Sequence, residues 1–199
     1  FIPISEITGF IHQISNFVMH QVCRDLNELI ASGFNPPRIS INFSATELDE
    51  NTAQRIESIL HAYQLSPSLF TIEITENAKI TGHESTFKQL RPLWERGMRI
   101  SIDDFGTGYS SLAYISELEI DEIKIDQSFV QSVLDNPKHE SIVKAIIGIG
   151  QAFGYKIIAE GVETAAQLVA LQQYDDLSVQ GFLFSHPLNI SALKQYFTR

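Results

Sequence analysis

The spacing of apolar positions switches repeatedly along the chain between a helical period and a strand period. Over residues 1–33, Ile11, Ile14, Val18, Val22, Leu26 and Leu29 recur every three or four residues, and Gly33 followed by Pro36-Pro37 supplies a stop; this predicts a helix. Arg38–Phe43 then alternates like a strand, and Asn51–Tyr63 is amphipathic through Ile56, Ile59, Leu60 and Tyr63. Further strands are predicted at Phe70–Ile74, Met98–Asp103, Glu122–Ile125, Lys156–Ala159 and Val179–Leu183. The helices between and after them are predicted at His83–Arg96, Ser110–Leu118, Ser141–Phe153, Thr164–Tyr174 and Ser191–Phe197. Gly97 closes the first of these, and Pro92 inside it predicts a kink.

Six strands alternating with helices, with no linker or low-complexity stretch between them, predict a parallel α/β sheet, either open or closed into a barrel. The chain contains neither a G-x-G-x-x-G after the first strand nor a G-x-x-x-x-G-K-[ST], so nucleotide-binding open sheets lose their main support. A (β/α)8 barrel calls for eight strands and about 250 residues. Six strands in 199 residues read as such a barrel lacking its first two strands, and an opening helix with no strand before it agrees. Residues 1–199 therefore read as one partial domain.

Composition narrows the chemistry. With 14 Lys and Arg against 24 Asp and Glu, the net charge of −10 argues against binding a nucleic-acid polymer. A small phosphate ligand stays open if metal ions supply the positive charge. The single cysteine, Cys23, excludes an internal disulfide and fits a reducing cytoplasmic compartment. No apolar run approaches the roughly 18 residues of a membrane span. The first residue is Phe1 rather than Met, which reads as part of a longer protein.

Polar residues collect at the C-terminal ends of the predicted strands, where barrel enzymes build their sites. Asn42 ends the first strand, Glu73 lies near the end of the second, and Asp103-Asp104 close the third. Lys124 and Asp126 end the fourth, Glu160 follows the fifth, and Gln180 falls in the sixth. Carboxylates among such apolar neighbours as Ile72, Ile74, Ile100 and Ile102 are costly to bury unless paired or bound to a cation. An all-oxygen donor set without His or Cys points to Mg²⁺ or Mn²⁺ rather than zinc. The adjacent aspartates can reach two ions, and two ions about 3.5–4 Å apart can activate water and neutralise the leaving oxygen of a phosphodiester. Lys124 is then a cation beside developing charge or a proton-transfer group, and a salt bridge to those carboxylates is compatible with either role. An enolase-like barrel, with Mg²⁺ at acidic strand ends and a lysine base, is a further reading of the same residues.

The motif set resembles the EAL-domain family of bacterial cyclic di-GMP phosphodiesterases. Phe1-Ile-Pro-Ile-Ser-Glu6, Asn42-Phe-Ser-Ala45, Glu73-Ile-Thr-Glu76 and Asp103-Asp-Phe-Gly-Thr-Gly-Tyr-Ser-Ser-Leu112 carry the resemblance. Lys124-Ile-Asp126, Glu160-Gly-Val-Glu163 and Gln180-Gly-Phe-Leu-Phe184 complete it in the family's order. The resemblance implies a TIM-like barrel of the EAL type, two Mg²⁺ or Mn²⁺ ions, and hydrolysis of cyclic di-GMP to linear pGpG. It implies Asn42, Glu73, Asp103 and Asp104 as metal ligands, with Asp103 bridging, and Glu160 holding the second ion directly or through water. Lys124 would support the attacking water, Gln180 and Asp126 would meet the substrate, and Glu76 would brace the Phe105–Ser110 loop. It further implies a homodimer in the intact parent and regulatory or sensory domains upstream, segments through which the parent can be membrane-anchored. The family's Glu-Ala-Leu segment precedes the Phe-Ile-Pro segment and is not in this sequence, so the 199-residue chain alone is expected to be inactive and prone to self-association. The alternative within the family is a non-catalytic receptor for cyclic di-GMP or an interaction module.

Overall fold

The computed structural model describes residues 1–76, 83–108 and 119–198, with the backbone alone at 83–87. In chain order, its regular elements begin with α1 (Ile2–Thr8), α2 (Ile11–Ala31), β1 (Ile39–Asn42), α3 (Thr52–Ala62), β2 (Phe70–Thr75) and α4 (His83–Glu95). They continue with β3 (Arg99–Phe105), β4 (Glu122–Ile125), α5 (Gln127–Gln131), α6 (Pro137–Phe153), β5 (Lys156–Ala159), α7 (Ala165–Leu171), β6 (Leu177–Val179) and α8 (Ile190–Phe197). Two compact units divide them: α1 to α4 with β1, β2 and α8 in the first, and Glu76 with β3 to β6 and α5 to α7 in the second. The helix expected over Ser110–Leu118 lies outside the described residues.

In the first unit, the single opening helix is in fact two. Gly9 adopts a left-handed conformation (φ 73°) and closes α1, so α2 starts afresh at Ile11. The buried stripe of α2 also differs from the expected one. Ile11, Ser15, Met19, Cys23, Leu26 and Leu29 are buried, whereas Val18 is exposed. Ser15 is tolerated inside because its hydroxyl donates to Glu47 Oε1 at 2.9 Å. α3 packs against α4, and α2 against α3 and α8. β1 pairs parallel with β2, with Asn42 opposite Glu73. Every residue of β2 from Phe70 to Ile74 is buried, as expected of a parallel strand covered on both faces.

In the second unit, β3 to β6 pair parallel in chain order. β4 is buried throughout, Ile123 and Ile125 completely, and α6 packs on β4 and β5. α6 begins at Pro137, ahead of the expected Ser141. The Asn136 side chain accepts from the Lys138 N–H as N-cap, and the proline occupies a first-turn position where no N–H is needed. β6 is Leu177–Val179 rather than Val179–Leu183, because the chain turns after Gln180 and Phe184 N–H donates to the Gly181 carbonyl. Among the described residues, no helix is long and apolar enough to cross a membrane.

Cys23 supplies a test of the first unit's packing. Its side chain has no exposed surface, and burial pushes the thiol up to about 11. The thiolate is the reactive form, so folded protein at pH 8 should resist a disulfide reagent such as DTNB, and denaturant should release one equivalent. Stoichiometric labelling of the folded chain within seconds would contradict this packing.

Candidate functional site

Two sets of strand-end residues are brought together, one in each unit. In the first, Asn42 and Glu73 sit opposite one another in the β1–β2 register; Glu73 is buried and Asn42 is exposed. Phe43 N–H donates to the Glu73 carbonyl at 2.9 Å, which continues the pairing one residue past β1.

The second unit holds the charged cluster. β3 meets β4 through an irregular register: Ile102 pairs with Ile123, and Phe105 with Ile125, so one extra β3 residue is accommodated between the pairs. Asp104 takes up that residue by adopting a left-handed backbone (φ 55°), a conformation Asp tolerates better than most side chains. In a regular strand, neighbouring side chains point to opposite faces. Here the bulge lets both carboxylates reach one place. Oxygens of Asp103, Asp104 and Glu160 lie within 4.8 Å of one another. Asp103 Oδ1 also accepts the Asp104 N–H at 3.0 Å.

Lys124 rises from β4 into this cluster. Its ammonium lies 3.3 Å from Asp103 Oδ1 and 2.5 Å from Glu160 Oε1, and its side chain is only 5% exposed. Charge-assisted contacts at this burial offset the cost of dehydrating the lysine. Glu160 is held by its own backbone, which donates to the Ile125 carbonyl at 3.2 Å just past the end of β5. Gln180 N–H donates in turn to the Ala159 carbonyl at 2.9 Å. The Gln180 side chain is exposed.

Asp126 has a structural task that the sequence did not reveal. It caps α5, accepting the N–H and the hydroxyl of Ser128 at its Oδ1. It also shares a hydrogen bond with the Asp104 carboxyl. Asp104 is pushed up to about 6, first by burial and then by the charges of Asp103 and Asp126, with Lys124 opposing. Glu76 lies at the far side of the same loop. One of its oxygens, Oε2, accepts the N–H groups of Gly106 at 2.8 Å and Gly108 at 3.0 Å, while its own N–H donates to the Asp103 carbonyl at 2.9 Å. The Thr107 hydroxyl donates to the Asp104 carbonyl at 2.8 Å, so the turn after the aspartates is held from both ends.

Three carboxylates served by one ammonium leave net negative charge in a half-buried place, and all the donors are hard oxygens. This arrangement fits a divalent cation. The bulge and the capping role of Asp126 were not foreseen, and the Asp-x-Ser spacing 126–128 is the one local signal for the cap.

The chain belongs to the EAL domain family, whose pattern it matches over residues 1–187. The cyclic di-GMP phosphodiesterase NbdA of Pseudomonas aeruginosa is 38% identical over 199 residues, covering 98% of this chain and 25% of that protein. The solved PaMucR phosphodiesterase in complex with cyclic di-GMP is 36% identical, with a TM-score of 0.91, over 97% of this chain and 78% of that one. Klebsiella pneumoniae BlrP1, solved with calcium and cyclic di-GMP, is 29% identical with a TM-score of 0.77, over 88% of this chain and 44% of that one. The fold is thus the TIM-like α/β class of the EAL domains. The chain spans about a quarter of the length of the curated relatives it matches.

As a cation ligand, the carboxyl of Asp104 would set the pH range of binding. Below about pH 6 it is protonated in the metal-free protein, and above that it is charged, so protons compete with a cation only on the acid side. Mn²⁺ affinity, titrated calorimetrically between pH 5 and 8, should be level above about 7 and fall as pH drops through 6. An affinity that rose on acidification would exclude Asp104 as a ligand.

Proposed function

We propose that this protein hydrolyses one phosphodiester bond of cyclic di-GMP, giving linear pGpG, with Mg²⁺ or Mn²⁺ bound at the acidic strand ends. The observation that carries the reading is the convergence of Asp103, Asp104 and Glu160 around the Lys124 ammonium. Support comes from relatives named as cyclic di-GMP phosphodiesterases and from one solved with calcium and the same dinucleotide.

Each residue then has a role. Asp103, Asp104 and Glu160 would hold the cations through their carboxylate oxygens. Asn42 and Glu73 carry further oxygen donors of the same kind. Bound divalent cations would supply Lewis-acid activation of water and neutralise charge on the leaving oxygen. Lys124 orients the attacking water and receives the charge that develops in the transition state, and Glu160 and Asp103 fix the ammonium in position. Gln180 and Asp126 meet the substrate or its hydration shell. Glu76 keeps the Gly106–Gly108 turn in place, so that the Asp103-Asp104 backbone does not relax out of its bulge. Residues 1–199 act in this reading as one cytoplasmic domain, joined as a homodimer and governed by regulatory or sensory modules of a longer protein.

Chelation tests the cation requirement: excess EDTA should abolish conversion of cyclic di-GMP to pGpG by the full-length protein, and Mn²⁺ should restore it. Undiminished turnover in EDTA would end the metal-dependent reading, and tight binding without turnover in Mn²⁺ would favour the receptor alternative.

Asp103→Asn and Lys124→Ala separate binding from chemistry. A group that meets charge only in the transition state affects kcat far more than KM. Lys124→Ala should lower kcat by about 100-fold or more, with KM changed less than about threefold. Asp103→Asn should also act mainly on kcat, with Mn²⁺ affinity reduced. A raised KM at unchanged kcat in Lys124→Ala would reassign that lysine to substrate binding.

A further inference from the structure

The short helix α5 touches the chain that follows β3 and the chain that follows β5. On the β3 side, its N-cap Asp126 shares a hydrogen bond with the Asp104 carboxyl. Phe129 packs under the turn after the aspartates, where a Cβ on Gly106 would stand 2.9 Å from its ring. On the β5 side, Gly161 lies against the first turn of α5. Its φ is 71°, and a Cβ there would stand 2.6 Å from Gln127 Cβ. The last residue of α5, Gln131, presents its carbonyl to the Gln167 side chain, whose Nε2 donates to it at 3.3 Å.

Gln167 lies in α7 and is buried. Its Oε1 accepts the N–H groups of Glu163 and Thr164, each at 2.9 Å, so the stretch leading from Glu160 into α7 is gathered onto one amide. That oxygen completes a capping box with Thr164, and glutamate serves this purpose equally well. Only an amide adds the donor that reaches Gln131. A helix end leaves carbonyls without helical partners, so the Gln131 oxygen is available to it. The donor therefore ties the Glu160 side to α5, and through α5 to the Asp104 side.

Resting on the cation-binding reading above, we propose that Gln167 is a positioning residue for the cation site: by fastening the segment after Glu160 to α5, it sets how close the Glu160 carboxylate stands to those of Asp103 and Asp104. In this role it touches neither cation nor substrate. The segment meets α5 at two points, Gly161 on Gln127 and Gln167 on Gln131. With the first contact alone the chain could pivot, and the second removes that freedom. A divalent ion gathers its oxygens at short, set distances. Ligands held there beforehand bind it without the cost of ordering them, and groups behind the ligands accordingly shift metal affinity about 10- to 100-fold.

The test titrates Mn²⁺ calorimetrically into the full-length protein without substrate. Gln167→Glu keeps both acceptor bonds and loses only the donor to Gln131. It should weaken Mn²⁺ binding about 10-fold or more, while the metal-free melting temperature stays within about 4 °C of wild type. The added negative charge would by itself favour a cation, so a fall in affinity is not a charge effect. Gln167→Met, which keeps the length of the side chain and gives up its hydrogen bonds, should weaken binding at least as much. Wild-type Mn²⁺ affinity in either folded variant overturns the proposal and leaves Gln167 a helix cap. Coupling is reciprocal, so in the wild type saturating Mn²⁺ should slow hydrogen exchange of the peptide containing Glu163 and Thr164. Exchange that Mn²⁺ leaves unchanged overturns the proposal without any variant. A wild-type protein that binds no Mn²⁺ brings down the cation reading and this inference together, a result distinct from a wild type whose Mn²⁺ affinity is indifferent to residue 167.

Discussion

The organising constraint of the charged cluster is the compensation of buried negative charge. Asp103 and Glu160 would be unfavourable at the ends of strands whose neighbours are Ile102, Ile123 and Ile125, and Lys124 makes them tolerable by standing between them. The compensation is incomplete, since Asp104 and Asp126 add charge that one ammonium does not balance, and Asp104 responds by holding its proton up to about 6. A site balanced in this way is poised to exchange a proton for a cation. Affinity for a hard cation and electrostatic discomfort without one would then be a single property.

Geometry makes that property local. The bulge at Asp104 sets two successive carboxylates on one spot, and Glu76 fixes the following turn through the N–H groups of Gly106 and Gly108. Further along, the Glu160 and Gln180 backbones extend the strand pairing by one residue each, so side chains beyond the strands inherit the rigidity of the sheet. The core beneath is apolar and closely covered, with Ile123 and Ile125 without exposed surface. Chemistry and stability thus reside in different layers of the same strands.

Much of this was legible in the sequence because strands and helices impose different periods, and most strand boundaries fell within a residue or two of the alternation. Failures had identifiable causes. In α2 two apolar stripes compete, and the one containing Ser15 lies inside because Glu47, 32 residues away, accepts its hydroxyl. At Pro137 a residue that usually breaks helices begins one, since a first-turn position requires no N–H. Around Gln180 the alternation resembles a strand, but the hydrogen bond from Phe184 to Gly181 turns the backbone. The cluster's residue types could be read from strand ends, but not the bulge that unites them. It depends on a register between β3 and β4 that no local spacing encodes.

The left-handed backbone of Asp104 also has an evolutionary consequence. At φ 55° few residues other than glycine are comfortable, and asparagine is among them. Asparagine is one nucleotide substitution from aspartate, keeps the shape of the side chain and removes its charge. A single point change can therefore leave the bulge, the turn and the core intact while removing one carboxylate from the cluster. In the phosphodiesterase reading, the shortest mutational path away from catalysis would then run through a folded protein.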